Sequence, residues 1–273
     1  MAADKNSYKK SSFGPAFLFL EKHRREALAD YYEFCRRMDD IADEPDVQNP
    51  AGELDFWADE IARVYDARPE TDLGKRLLLH VREFGITQDR FLMLIDGMRA
   101  DLRGQTYATF EELDGYIYRV AVVVGLATLD ILGVKGPEAD ALANELGGAV
   151  QLTNIIRDVP DDSLLGRVYL PEELLARHGL TRQDILAGRS VERLSRALSE
   201  TAGRAQKLYA RAFERMKDFP RLKMLPCRMM GYVYFSNLAK IRKTGFRFMR
   251  PVKLTKAEKL QGVLHALFKT VFR

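Results

Sequence analysis

At two widely separated places this chain sets carboxylates into apolar, helix-forming sequence, and that combination constrains the fold more than any other feature. The first run is Asp39-Asp40-Ile41-Ala42-Asp43-Glu44; the second is Asn154-Ile155-Ile156-Arg157-Asp158-Val159-Pro160-Asp161-Asp162. Charge costs most where water is scarce, so groups placed this way need cations. On an α-helix, residues four apart share a face about 6 Å apart along the axis, which aligns Asp39 with Asp43 and Asn154 with Asp158. Each helix then carries one oxygen-rich stripe. Mg²⁺ takes oxygen ligands, keeps several waters and is usually held by one or two carboxylates plus substrate phosphate. Two such stripes facing a cavity suit a diphosphate ester. A lone acidic run on a helix is equally a solvated face. The second run argues against that, because Gln151, Asn154 and Asp158 interrupt an otherwise apolar pattern over 146–159.

The rest of the pattern is helical. Apolar residues recur at three- and four-residue steps over 21–42, 53–66, 73–84, 88–103, 110–132, 138–159, 191–217, 222–243 and 257–272. Only Val122-Val123-Val124 hints at a strand, and its flanks are helical. Segments 45–52 and 160–171 read as loops. Pro160 lacks an N–H and disfavours helical geometry at Val159, so the helix is expected to end or kink there, which leaves the reach of Asp162 open. With 273 residues and 47% apolar content, one large core is affordable and no linker is visible. The expected architecture is a single all-α domain over 1–273, a helical bundle around a central cavity, with a polar tail at 1–10 and a basic amphipathic helix at 252–273.

Several function classes are disfavoured. The two cysteines, Cys35 and Cys227, form no CxxC pair and the four histidines are scattered, so neither a zinc site nor a disulfide framework is expected. The Met1-Ala2-Ala3-Asp4 start is polar, and no apolar run reaches the roughly 18 residues of a membrane span. A cytoplasmic location follows as the expectation. Neither GxxxxGK[ST] nor GxGxxG occurs. From Lys240 to Arg273 ten Lys and Arg stand against the single acid Glu258. No nucleic-acid motif accompanies that charge, so an anionic membrane surface, touched peripherally, is the expected partner. The apolar positions Leu260, Val263, Leu264, Leu267, Phe268, Val271 and Phe272 share a helical side, and packing of that same stripe on the bundle is the competing reading.

Four stretches in order carry a family resemblance: 32–44 (YEFCRRMDDIADE), 116–125 (YIYRVAVVVG), 151–158 (QLTNIIRD) and 166–171 (GRVYLP). Together they resemble the signature of the squalene and phytoene synthase family, and the likeness runs from Ser11 to about Tyr234. The resemblance implies the isoprenoid synthase fold and Mg²⁺-dependent head-to-head joining of two prenyl diphosphates. It implies that Asp39, Asp43, Asn154, Asp158 and Asp162 hold two or three Mg²⁺ ions. Arg36, Arg157 and Arg167 would meet diphosphate, with Ser12 and Phe13 over it. Tyr32, Tyr116 and Tyr234 would line the reaction chamber, Gln151 would lie near a cyclopropyl intermediate, and Val120, Ala121 and Gly125 would line the tunnel. Tyrosine at helical spacing is also common core, and Arg157 is equally an ion-pair partner. The DDIADE form and compact length look most like bacterial enzymes that make presqualene diphosphate from farnesyl diphosphate, often for hopanoids. Phytoene formation from geranylgeranyl diphosphate, complete NADPH-dependent squalene synthesis and a non-catalytic scaffold of the same fold are the alternatives. NADPH is not expected, and the oligomeric state is not legible.

Overall fold

The computed structural model describes residues 20–272, with side chains up to 270. No strand occurs among the described residues. The helices are α1 (Lys22–Asp43), α2 (Pro50–Tyr65), α3 (Asp72–Phe84), α4 (Gln88–Leu102), α5 (Phe110–Ile117), α6 (Val123–Leu132), α7 (Pro137–Leu164), α8 (Glu172–Arg177), α9 (Arg182–Leu186), α10 (Val191–Arg215), α11 (Leu225–Lys243) and α12 (Lys256–Phe272). Their starts are chemically marked. Asn49, Thr71 and Thr109 each accept a backbone N–H from the first turn of the helix that follows, which satisfies one of its orphan donors. Thr181 with Asp184 forms a capping box, and Thr255 with Glu258 makes the same reciprocal pair of bonds at α12.

The chain packs as two compact units. Among the described residues the first comprises 20–103 and 119–143, the second 104–118 and 144–272. In the first, α1 packs on α2, α3, α4 and α6. Tyr31, Phe34 and Met38 of α1 are buried and recur at helical spacing. Phe34 meets Phe91 of α4 and Trp57 of α2 edge-on, at ring-centroid distances of 5.1 and 6.0 Å. These large side chains fix the azimuth of α1. The side of α1 away from them carries the acidic run. Gly97 is part of the same fit: a Cβ there would lie 2.4 Å from Val120 Cγ1.

In the second unit α10 packs on α11, and α11 on α12. Phe213 and Tyr232 stack at 4.4 Å. Arg215 donates twice to the Glu145 carboxylate, at 2.8 and 2.9 Å, tying α10 to α7.

Several sequence expectations change. Helix α7 does not end at Val159; it runs through Pro160 to Leu164. The missing N–H of Pro160 removes one hydrogen bond, that to the Ile156 carbonyl, and Ser163 Oγ donates to the Pro160 carbonyl at 2.9 Å. The loop expected at 160–171 is correspondingly shorter and is followed by α8 and α9, which periodicity had not marked. Pro50 belongs to α2 rather than to the preceding loop, and α11 begins at Leu225 rather than 222. Val122-Val123-Val124 is helical, and Tyr118–Val122 forms a π-helical turn between α5 and α6. The continuous helix Phe110–Leu132 has 23 residues and by length and composition alone could cross a membrane. Half of its apolar window is buried inside the protein, as in a core helix.

Candidate active site

Two clusters of site residues are built, one in each unit. In the first unit, Arg36 lies three and four residues before Asp39 and Asp40 on α1, the spacing that puts them on one side. Its guanidinium reaches Asp39 Oδ2 at 2.9 Å and Asp40 Oδ1 at 2.5 Å. Asp43 lies one turn beyond Asp39. The Asp39 side chain keeps 47% of its surface accessible, yet protein packed around the carboxylate, followed by the charge of Asp43 and then of Asp40 and Asp101, pushes its pKa up to about 6 against the pull of Arg36.

Asp101 is the residue sequence reasoning missed. It is buried on α4 and contributes to the field at Asp39. A signal was present, since Asp101 falls at i+7 from Leu94 and i+3 from Met98, on the buried stripe of α4. Tyr32 stands one turn before Arg36 and acts on its charge. Val120, Ala121 and Gly125 are partly accessible on the π-turn and α6. A Cβ on Gly125 would meet Ala143 at an ordinary 3.5 Å, so packing alone does not demand glycine there.

In the second unit, Asn154, Asp158 and Asp162 lie at i, i+4 and i+8 of α7, which the helix keeps on one fan of about 80° over about 12 Å. Arg157 grips Asp158 with two parallel bonds, Nε to Oδ1 at 2.8 Å and Nη2 to Oδ2 at 2.5 Å. The same guanidinium donates to the Tyr234 hydroxyl. Asn154 Nδ2 donates to Gln151 Oε1 at 3.3 Å, whereas Asn154 Oδ1 is buried with no hydrogen-bond partner. Such a buried acceptor is open to a hydrogen bond from water or a ligand. Asp162 and Arg167 line one small cavity with Tyr169 and Ile185. Tyr116 is buried between Tyr107 and Tyr169, at centroid distances of 5.4 and 5.2 Å. Ser12 and Phe13 lie outside the described residues.

The donor types of each unit suit a hard divalent cation. The first unit offers carboxylate oxygens, one carboxylate pressed by like charge, and the second offers carboxylate and amide oxygens with one acceptor unpaired. Among the described residues no three His, Cys, Asp or Glu side chains converge as a ready-made metal cage. Mg²⁺ needs no such cage, because substrate phosphate and water complete its shell. Arg36 and Arg157 are the cations that balance the two stripes.

The all-α architecture and the acidic, arginine-paired helical stripes fit the class of isoprenoid synthases, and the comparisons show that class. Residues 8–258 match the squalene/phytoene synthase family, and the chain belongs to it. It is 40% identical to a presqualene diphosphate synthase of Rhodopseudomonas palustris, over 93% of this chain and 92% of that one. It is 33% identical to chloroplastic phytoene synthase 1 of Solanum lycopersicum, over 95% of this chain and 65% of that one. Among solved structures it is similar to squalene synthase HpnC from Alicyclobacillus acidocaldarius, with TM-score 0.82, 28% identity, and coverage of 90% and 92% of the two chains. A dehydrosqualene synthase solved with a ligand gives TM-score 0.85 at 27% identity, covering 97% and 94%. The fold is therefore the all-α isoprenoid synthase fold.

Proposed function

We propose that the protein joins two farnesyl diphosphates head to head to give presqualene diphosphate. The observation that carries this reading is the paired construction of the two clusters, Arg36 on Asp39 and Asp40, and Arg157 on Asp158, each on a helix that carries further oxygen donors. The reaction consumes two diphosphate esters, and the chain carries two sites of the kind a diphosphate needs. The 40% identity to a presqualene diphosphate synthase supports the C15 ester as substrate.

Asp39, Asp43, Asn154, Asp158 and Asp162 would hold Mg²⁺, which supplies Lewis-acid neutralisation of charge on the departing diphosphate. Arg36 and Arg157 exchange a carboxylate for a diphosphate oxygen, an exchange of one charge-assisted bond for another. Arg167 binds from the segment after α7. As the allylic C–O bond breaks, its electron pair leaves with diphosphate. Tyr32 and the apolar residues Val120, Ala121 and Gly125, all of the first unit, would keep water from the cation that remains. Attack by the double bond of the second chain and loss of a proton close the cyclopropane.

Condensation of two geranylgeranyl diphosphates is the second reading, favoured by the phytoene synthases among the relatives. A scaffold role is disfavoured because every acidic position of both stripes is retained. Incubation with Mg²⁺ and farnesyl diphosphate tests the reading. Diphosphate release by the intact chain is expected, and equal release by Asp39→Asn and Asp158→Asn would defeat the assignment of the stripes.

A further inference from the structure

The stripe of α12 that the sequence presents as one is divided by the structure. Val263, Ala266 and Thr270 are buried against α11. Gly262 allows this approach, since a Cβ there would lie 3.2–3.4 Å from Val233, and Tyr232 meets His265 edge-on at 4.7 Å. Leu260, Leu264 and Phe268 are instead 57%, 56% and 56% exposed. At about 100° per residue, these three fall in an arc of about 80° whose centre is about 130° from the buried face. A helix that only caps a bundle needs one apolar face, and α12 has two.

The charge around it has one sign. Lys243, Arg250, Lys253, Lys256, Lys259 and Lys269 have no acidic partner among the described residues. The acid of the segment, Glu258, is taken by Lys240 at 2.7 Å. Met249, 85% exposed, adds an apolar side chain beside Arg250.

We infer that α12 and the segment before it form a docking surface for an anionic lipid bilayer, with Leu260, Leu264 and Phe268 entering the headgroup boundary and the lysines meeting lipid phosphate. Charge complementarity selects this occupant: a second copy of the chain would bring the same positive face against itself. The helix lies along the interface rather than crossing it, since its other face is committed to α11. This goes beyond the catalytic reading and stands without it.

The test sediments the full chain with phosphatidylcholine vesicles, with and without phosphatidylglycerol. Binding is expected only to the anionic vesicles, and to weaken as salt rises. The pair Leu260→Gln with Leu264→Gln, at exposed positions, is expected to keep the melting temperature and lose binding at least about tenfold; Lys253→Glu with Lys256→Glu is expected to lose a similar factor. Failure of the intact chain to sediment with anionic vesicles overturns the inference. So does wild-type binding by both pairs, or a glutamine pair that binds normally but changes a dimer into a monomer in ultracentrifugation, which would assign the face to a second copy.

Discussion

Arg157 holds its neighbour Asp158 through two parallel hydrogen bonds, of 2.8 and 2.5 Å, while donating to Tyr234. Adjacent residues on a helix point about 100° apart, so this geometry requires Arg157 to turn back towards the acidic stripe. Asp39, in contrast, shares a single arginine with Asp40 and stands amid the charges of Asp43 and Asp101.

The two aspartates should therefore respond differently to the same substitution. Asp158→Asn removes the charge that Arg157 grips and should cost roughly 1–3 kcal/mol of stability. Asp39→Asn relieves like-charge crowding, so its melting temperature should equal or exceed that of the wild type. Turnover should fall in both, on the order of a hundredfold or more, because each loses an electrostatic element of diphosphate departure. Thermal melts and initial rates measured on the same preparations check both halves.

Magnesium with inorganic diphosphate should raise the melting temperature of the intact chain and of neither asparagine variant, since only ligands that bind the folded state stabilise it. This readout is independent of catalysis. An equal rise in all three proteins would place the metal elsewhere.

Gly97→Ala should destabilise by about 1–3 kcal/mol, because its Cβ would stand 2.4 Å from Val120 Cγ1. Adding Val120→Ala should restore most of the loss. Denaturant unfolding of the two variants and the double variant measures the coupling, and additive losses would show that the two residues do not share this space.

Glu258 gives a pH signature at α12. The Lys240 ammonium, then the Thr255 N–H, hold its carboxyl down at about 2. A depressed folded-state pKa stabilises above the unfolded value of about 4.3 and loses that stabilisation as pH falls towards the folded one. The melting-temperature gap between the intact chain and Glu258→Gln should thus be full at pH 6 and shrink as pH falls from about 4 towards 2. A gap that persists unchanged at acid pH would mean that the carboxylate charge is not what fastens α12.

Much of this organisation was legible because long helices repeat their pattern many times. Tyr31, Phe34, Met38 and Ile41 announce the buried side of α1, and by difference the acidic side. Short elements offer no such repetition. Helices α8 and α9 bury only Leu174, Leu175 and Ile185, too few to reveal a period. Pro160 misled because a proline removes one hydrogen bond from the turn before it without having to end the helix, and here a further turn follows. Asp101 was hidden among apolar neighbours on α4, and its meaning emerges only from its proximity to Asp39. The double apolar face of α12 could not be divided without knowing that α11 covers one side of it.

Product identification tests the central claim most directly. Purified protein is incubated with farnesyl diphosphate and Mg²⁺, without nucleotide, and the products are analysed by mass spectrometry beside a parallel reaction with geranylgeranyl diphosphate. The account predicts presqualene diphosphate from the C15 substrate, with NADPH changing little. A preference for the C20 substrate with phytoene as product, or no released diphosphate from either, would contradict it.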